Sequence, residues 1–119
     1  MVEPRILFVP LRVASATNLR EHWSQRHRRI RHERAVVAMV LRTTWGSIRP
    51  LSSPLTVTLT RIAPRQLDGD NLQAALKGPR DQIAAWLGCD DNDARLTWRY
   101  AQERRGVREY GVLITLTED

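Results

Sequence analysis

The sequence predicts a single domain, residues 1–119, of the α/β (α+β) class, in which a mixed β-sheet packs against two helices. Three observations support this prediction. The 119 residues are enough for one core and too few for two comfortable ones. Short apolar or alternating segments have the length of strands, and two longer segments between them have helical spacing. The predicted order is strand, helix, strand, helix, strand, strand, with parallel neighbours across the helices and an antiparallel hairpin at the end.

The N-terminal half of the chain supplies one strand and one long helix. Residues 5–13 form a nearly continuous apolar run, which predicts a buried strand that is bent or interrupted at Pro10. Polar side chains at residues 15–18 are candidate N-caps for a helix that continues to about Thr44. The second half of that helix, residues 35–41, is apolar and is predicted to lie in the core, whereas its first half is rich in arginine.

The C-terminal half supplies a strand, a second helix and two further strands. Residues 55–62 alternate between apolar side chains and threonine, which is typical of a strand with one wet face. A helical stripe follows, and we expect Pro79 to kink or split that helix because it removes a backbone donor. Residues 95–102 and 110–116 alternate in the manner of strands. The basic loop between them contains Gly106 and predicts a hairpin.

The charge of the chain favours a nucleic-acid partner. The chain has 19 basic and 13 acidic side chains, a net charge of +6, and Lys77 is the single lysine beside 18 arginines. Guanidinium groups bind phosphates through paired hydrogen bonds, so a surface of arginines suits a nucleic-acid backbone. A codon bias toward arginine would produce the same composition.

The arginines are concentrated in two segments that we predict to contact DNA phosphates. Six arginines and two glutamates lie between Arg20 and Arg34. A second basic segment, residues 104–108, forms the predicted hairpin loop. Trp23 is the best candidate for stacking on a base, although its place in the apolar stripe of the helix favours packing. The residues predicted to contact DNA are Arg20, Arg26, Arg28, Arg29, Arg31, Arg104 and Arg105.

No feature of the sequence predicts a membrane protein or an oxidising compartment. The chain has no apolar run of about eighteen residues, and its N-terminus lacks a basic-then-apolar signal pattern. Cys89 is the single cysteine and has no partner within the chain for a disulfide. These observations predict a cytoplasmic protein.

Two acidic clusters flank the second predicted helix. Asp68 and Asp70 are two residues apart, so in extended backbone both carboxylates point to the same side and can reach one hard cation. The cluster Asp90-Asp91-Asn92-Asp93 would supply further oxygens if both helix ends return to one place, and the sequence leaves open whether Asp90, Asp91 or Asp93 completes the site. Mg²⁺ held in this way can activate a water for phosphodiester hydrolysis, with a nearby lysine balancing charge. Alternatively, Asp70 is an N-cap, Asp68 belongs to a plain turn and the second cluster is a solvated loop.

The two clusters belong to a longer motif, LDGDNLQAALKGPRDQIAAWLGCDDNDARLTW, at residues 67–98. This stretch resembles the core of the RusA family of Holliday junction resolvases. In that family an Asp-x-Asp-Asn-Leu motif starts a helix, and a Trp/Leu-rich turn leads to a second aspartate pair. The resemblance covers about residues 57–116 and extends weakly to the N-terminal segment VPLRVASATNLREHW.

The resemblance implies a homodimeric, Mg²⁺-dependent endonuclease that nicks four-way DNA junctions in paired strands. By the resemblance, Asp68 and Asp70 are metal ligands and one of Asp90 or Asp91 is a third. The predicted metal ligands are therefore Asp68, Asp70, Asp90 and Asp91, and the predicted catalytic residues are Asp68, Asp70, Asp91 and Lys77. Asn71 would orient the site. The family's functional lysine follows the second aspartate of the motif by one helical turn, where this chain has Ala74. Lys77, one turn further along, is predicted to take its place, and a non-catalytic DNA-binding protein on the same fold is the alternative.

Overall fold

The computed structural model of the chain describes residues 3–14, 22–47 and 50–118, and its elements follow the predicted order. The predicted class, a domain with helices packed on a mixed sheet, is confirmed. The second predicted helix is divided in two. The elements are β1 (Arg5–Val9), α1 (Trp23–Trp45), β2 (Leu55–Ala63), α2 (Gly69–Ala75), α3 (Lys77–Trp86), β3 (Leu96–Arg104) and β4 (Gly111–Glu118).

The strands of the sheet lie in the order β1-β4-β2-β3, so the prediction of a β3–β4 hairpin is wrong. β4 is antiparallel to β1 and to β2, whereas β3 is parallel to β2. Within β4, all of which the structure describes, only Glu118 is exposed, and this strand therefore lies inside the sheet. β3 exposes Thr97 and Arg99, which suits an edge strand. The connecting residues 105–110 form a long loop that crosses the end of β2.

One face of the sheet forms the core with the helices. In β2, Leu55, Val57 and Leu59 are buried, as their alternation predicts, and the threonines between them are half-buried on the opposite face. The same apolar cluster includes buried side chains of α1 and α3, and these two helices pack against each other. Among the described residues, no helix is long and apolar enough to cross a membrane.

α1 begins at Trp23, later than the predicted caps imply, because His22 is its N-cap. The His22 side chain accepts a backbone N–H of the first turn, and the Gln25 side chain accepts the His22 N–H, which together form a capping box. The caps predicted at residues 15–18, and also Arg20, lie outside the described residues. The described part of the helix therefore starts with the arginine-rich segment itself.

Pro79 divides the second helical segment, as predicted, but the break comes before it, at Leu76. A continuous helix would press the Pro79 ring against the carbonyl of Ala75 and would lose one hydrogen bond. Because α3 starts at Lys77, Pro79 lies in its first turn, where backbone N–H groups have no helical partner in any case. The split therefore removes the cost of the proline.

Candidate active site

The acidic start of α2 is fixed to the edge strand β3 by one side chain. Gln102 Oε1 accepts the Leu67 N–H at 2.8 Å, and Gln102 Nε2 donates to the Leu67 carbonyl at 2.7 Å. This pair of bonds imitates strand pairing where the backbone leaves β2 for α2. Asp68 follows Leu67 directly, so Gln102 sets the position of the first aspartate.

The second acidic segment is fixed to the same strand. Trp98 Nε1 donates to the Asp91 carbonyl at 2.8 Å. Arg80 of α3 donates from Nε to Asp91 Oδ2 at 2.9 Å and from Nη1 to Tyr100 Oη at 2.6 Å. The Arg80 guanidinium also lies over the Trp98 ring, 4.8 Å from the ring centroid. Asp91 is therefore held by β3 and α3 together.

These tethers place the two acidic segments on one face of the molecule. Trp98, Tyr100 and Gln102 alternate along β3 and therefore project from the same side of the sheet. A strand rises roughly 3.3 Å per residue, so along β3 Gln102 is about 7 Å from Tyr100 and about 13 Å from Trp98. The β3 side chains that hold the two acidic segments are therefore about 7–13 Å apart along the strand, so the segments are neighbours on this surface.

A cleft of about 330 Å³ lies beside Tyr100, and we call it the Asp91 cleft. The residues that line it are Gln73, Ala74, Lys77, Arg80, Asp91 and Tyr100. The Lys77 side chain is 70% exposed, and its Nζ lies 3.5 Å from Asp81 Oδ1. Asp70 precedes Ala74 by four residues in α2, so both project from one face of that helix. The helix face that carries Asp70 thus continues into the cleft.

The Asp91 carboxylate is already neutralised by a cation of the protein. The side chains of Asp91 and Arg80 are each 22% exposed and form an ion pair at 2.9 Å. Partial burial by itself raises the pKa of Asp91. The neighbouring Asp90 carboxyl, the Arg80 guanidinium and the charge of Lys77 outweigh that effect and hold the pKa of Asp91 below its usual value. A metal ion at Asp91 would take the place of Arg80.

Asp68 and Asp70 stand at the start of α2 in different roles. Asp68 is the N-cap: its Oδ1 accepts the Asn71 N–H at 3.1 Å, which leaves Oδ2 for another partner. The alternative in which Asp70 is the N-cap is therefore wrong. Asp70 is exposed in the first turn, where its charge interacts favourably with the helix dipole.

The acidic loop after α3 is folded by its own carboxylates. Asp90 Oδ1 accepts the Asn92 N–H at 2.9 Å. The Asp93 carboxylate accepts the Arg95 backbone N–H at 2.9 Å and two bonds from the Arg95 guanidinium at 3.0 and 2.8 Å. These bonds from Arg95 lower the pKa of Asp93 to about 2. The turn leaves Asp90 and Asp91 next to each other.

The four predicted metal ligands do not lie together as one group. Among the described residues, no three His, Cys, Asp or Glu side chains lie close enough together to hold a metal ion. The donor type suits Mg²⁺, which keeps several waters and is usually held by one or two carboxylates plus substrate phosphates. Asp68 and Asp70 in one acidic segment, and Asp90 and Asp91 in the other, are carboxylates of this donor type.

The arginines of α1 that were predicted to contact DNA have two different environments. Arg29 is half-buried, and its Nη1 donates to Oε2 of the buried Glu33 at 3.0 Å. A Cβ at Gly78 of α3 would stand 3.1 Å from Glu33 Oε1, so Arg29 and Glu33 belong to the contact between α1 and α3. The exposed arginines of this set are Arg26, Arg28 and Arg31.

The other predicted DNA contacts are on the surface. Arg104 Nε donates to the Pro64 carbonyl at 3.2 Å, and Arg105 Nη2 pairs with Glu103 Oε2 at 3.1 Å, while both arginines remain exposed. Trp23 is 74% exposed, so the expectation that it packs in the stripe is wrong. Its ring is open to a base.

Sequence reasoning missed the two side chains that organise this site, Arg80 and Gln102. Arg80 follows Lys77 by three residues and therefore shares its helix face. Gln102 continues the alternation that begins with Trp98 and Tyr100. Those two spacings are the signals in the sequence that could have found them.

Comparison with known proteins adds no family to these observations. No protein-family model matches the chain, and no curated protein matches it significantly.

Proposed function

We propose that this protein is a Mg²⁺-dependent endonuclease that resolves four-way DNA junctions in recombination and repair, as the resemblance of its motif to the RusA family implies. The observation that supports this most is the row of β3 side chains. Gln102 holds the backbone before Asp68, and Trp98 holds that of Asp91. Two acidic segments fixed on one surface suit a divalent ion together with a DNA phosphate.

By the resemblance, the carboxylates of Asp68, Asp70, Asp90 and Asp91 would hold Mg²⁺, and they would have to approach one another to do so, because no three of them lie close enough for one ion in this structure. When bound, the ion supplies Lewis-acid stabilisation of the phosphodiester oxygens. The Lys77 ammonium, on the wall of the Asp91 cleft, balances the charge that develops on the phosphate. Asp68 also fixes the start of α2 through its cap, so one carboxylate oxygen positions the helix while the other remains for ligation.

Arg80 gives the Asp91 cleft a way to exchange one cation for another. When Asp91 turns away from it, Arg80 keeps Tyr100 Oη and the Trp98 ring as partners. The guanidinium remains in the cleft, where it binds a phosphate oxygen. This exchange never leaves a half-buried carboxylate without a cation, which would be costly.

The proposed assembly is a homodimer on branched DNA in the cytoplasm. The exposed arginines at the start of α1, with Trp23 beside them, provide phosphate contacts and a stacking surface. Ile6 and Phe8 are 65% and 46% exposed on β1, which is an edge strand. Large apolar side chains on an edge strand support pairing with a second copy.

The test is a labelled four-way junction incubated with the purified protein, with and without Mg²⁺. We expect binding in both conditions and paired nicks only with Mg²⁺, because the carboxylates need the ion for hydrolysis and the arginines do not need it for binding. A linear duplex built from the same arms is the control and should not be nicked. Binding without nicking would reject the nuclease, and a lack of binding would reject a DNA partner.

The second candidate is a non-catalytic DNA-binding protein on the same fold, and one observation favours it. Ala74 lines the Asp91 cleft at the position where the RusA motif carries its lysine. Junction nicking by the natural chain and by the variant Ala74→Lys distinguishes the two candidates. If the natural chain nicks junctions, it is the nuclease and Lys77 serves in place of the lysine at position 74. If only the variant nicks them, the natural chain is a binding protein.

A further inference from the structure

A second cleft lies at the end of the sheet where β2 ends and the loop leading into β4 begins. Its volume is about 530 Å³, within the roughly 300–1,000 Å³ of ligand sites. We call it the arginine cleft. The residues that line it are Arg12, Ala14, Arg61, Ala63, Pro64, Arg65, Leu67, Val107, Arg108 and Tyr110. Because Leu67 precedes Asp68, this cleft adjoins the acidic start of α2.

Arg61 is a buried cation on the core face of β2. Arg61 is only 8% exposed, and it lies on the same face of β2 as the buried Leu59. Its Nε donates to the Val13 carbonyl at 3.3 Å and its Nη1 to the Arg65 carbonyl at 2.7 Å. A guanidinium has five donors, and within the described residues no carboxylate pairs with this one. A buried charge without a counter-ion is costly, which makes an anion a stabilising partner.

The other arginines of the cleft also make no ion pair within the part of the chain that the structure describes. The Arg12 guanidinium lies over the Tyr110 ring, 4.4 Å from its centroid. Glu109 is next to Arg108 in the chain, but its Oε2 accepts the Gly106 N–H at 2.9 Å. Burial lowers the pKa of Arg61, Tyr110 raises it and Arg12 lowers it further. The positive charge of the cleft is therefore uncompensated by the described acids.

The backbone of the loop that leads into β4 is strained at Arg108. Arg108 has φ of 66°, a left-handed conformation that glycine or asparagine adopts at lower cost. Strain of this kind persists only where the surrounding structure holds the conformation, and it is concentrated at functional and ligand-binding sites. Here the Arg108 side chain lines the arginine cleft.

We infer that the arginine cleft binds a phosphate of a nucleic-acid strand, with the adjoining nucleotide against the walls formed by Leu67, Val107 and Tyr110. The guanidinium groups of the cleft donate hydrogen bonds to the phosphate oxygens. This inference rests on the proposed function for the identity of the ligand and deepens it, because it places a strand phosphate beside Asp68. A strand held there would run from the arginine cleft toward the acidic segments.

The test measures binding of a labelled single strand and of a labelled four-way junction in EDTA, where no cleavage occurs. Arg108→Gly removes the side chain and relieves the backbone, so the variant should fold at least as well as the natural chain. We expect Arg108→Gly and Arg65→Ala each to bind about 10-fold more weakly. The salt slope for the single strand should fall by about 0.7.

Arg42→Ala is the matched control, because Arg42 is an exposed arginine of the last turn of α1 and lies outside the cleft. If Arg108→Gly and Arg65→Ala bind both DNA probes as Arg42→Ala does, the inference is overturned. Since this readout needs no Mg²⁺, loss of binding in these variants would support the cleft even if the natural chain never nicks a junction.

Two further probes identify the source of the phosphate. Inorganic phosphate and a nucleoside 5′-monophosphate are titrated against the natural chain and Arg108→Gly, and the backbone amide signals of residues 107–110 are followed by NMR. We expect weak, cleft-dependent shifts at concentrations far above those at which the strand binds. A monophosphate that binds more tightly than the strand would overturn the assignment to nucleic acid and make the cleft a nucleotide site.

Discussion

The Asp91 cleft and the arginine cleft differ in whether their charged side chains form ion pairs. In the Asp91 cleft the charges are paired, Arg80 with Asp91 and Lys77 with Asp81. In the arginine cleft none of the arginines has an acidic partner among the described residues. A phosphate can therefore enter the arginine cleft without breaking an ion pair, whereas a cation enters the Asp91 cleft only by displacing Arg80.

This difference explains how one small domain can hold DNA and a metal ion side by side. The unpaired arginines attract the strand first, because no carboxylate among the described residues neutralises their charge. The paired groups keep the acidic segment from repelling that strand before the cation arrives. Substitutions in one cleft should therefore leave the other cleft's role measurable: DNA binding for the arginine cleft and junction cleavage for the Asp91 cleft.

The largest effect is expected for Asp70→Asn, which should reduce junction cleavage by more than about 100-fold. Removing a residue that only hydrogen-bonds to a metal ligand already lowers metal affinity or activity by roughly 10–100-fold, and Asp70 is proposed as a ligand itself. Junction binding should stay the same or improve, because a charge that repels phosphate is lost. Cleavage and binding are measured on the same junction.

Glu103→Gln is the control for Asp70→Asn, since it makes the same carboxylate-to-amide change at an exposed position of β3. It should leave cleavage within a few fold of the natural chain. Undiminished cleavage by Asp70→Asn would remove Asp70 from the mechanism.

The next largest effect is expected for Gln102→Leu, which leaves the Leu67 N–H and carbonyl without their partner. We expect the free energy of unfolding to fall by about 2 kcal/mol, and cleavage to fall further than stability explains, because Asp68 loses its tether. Urea unfolding and junction cleavage below the unfolding transition measure the two effects. Gln82→Leu, a half-buried position of α3, is the control. Normal cleavage by a folded Gln102→Leu would contradict the positioning role.

Neighbouring arginines of α1 should separate stability from binding. Arg29→Ala should lower the free energy of unfolding by about 1–2 kcal/mol, because the buried Glu33 loses one cation. Arg28→Ala should leave stability within about 0.5 kcal/mol and flatten the salt dependence of duplex binding by about 0.9. Urea titration and binding across a salt series measure both variants. Equal stability losses would mean that the two arginines share one environment.

The smallest effect is expected from pH. The pKa of Asp93 is lowered from its ordinary value of 3.8 to about 2 by Arg95, so the ionised pair contributes stability above about pH 4 and loses it as pH falls toward 2. Asp93 lies at the surface, so the slope should be shallow. Acid unfolding of Asp93→Asn, compared with the natural chain, should show a smaller loss over that range. Identical curves would exclude the pair from acid stability.

Local patterns in the sequence were sufficient for most of the fold. The alternation of residues 55–62 predicted β2 and its buried face, and Pro79 predicted the division of the second helix. The hairpin prediction failed because the loop of residues 105–110 carries no information on which strand β4 joins. Strand order depends on which strand edges pair in three dimensions, and β4 pairs with β1 on one edge and with β2 on the other.

The candidate site was predicted less completely than the fold. Charge spacing drew attention to the aspartates, but the alternative that it left open placed the N-cap at Asp70, whereas the N-cap is Asp68, two residues earlier. Arg61 was hidden because its place in an alternating strand looks like a core position. The spacing of Arg80 from Lys77, and of Gln102 from Tyr100, shows which face each side chain shares, but a single sequence does not show that Arg80 reaches Asp91 or that Gln102 reaches Leu67.

The central claim is that both acidic segments serve one divalent ion, and a double-mutant cycle on metal affinity tests it most directly. Mn²⁺, used in place of Mg²⁺, is titrated against the natural chain, Asp70→Asn, Asp91→Asn and the double variant, with free Mn²⁺ measured by EPR. We predict one site that each single variant weakens at least about 10-fold, with losses that are not additive in the double variant. Independent, additive losses, or a site that ignores one of the two aspartates, would contradict the claim.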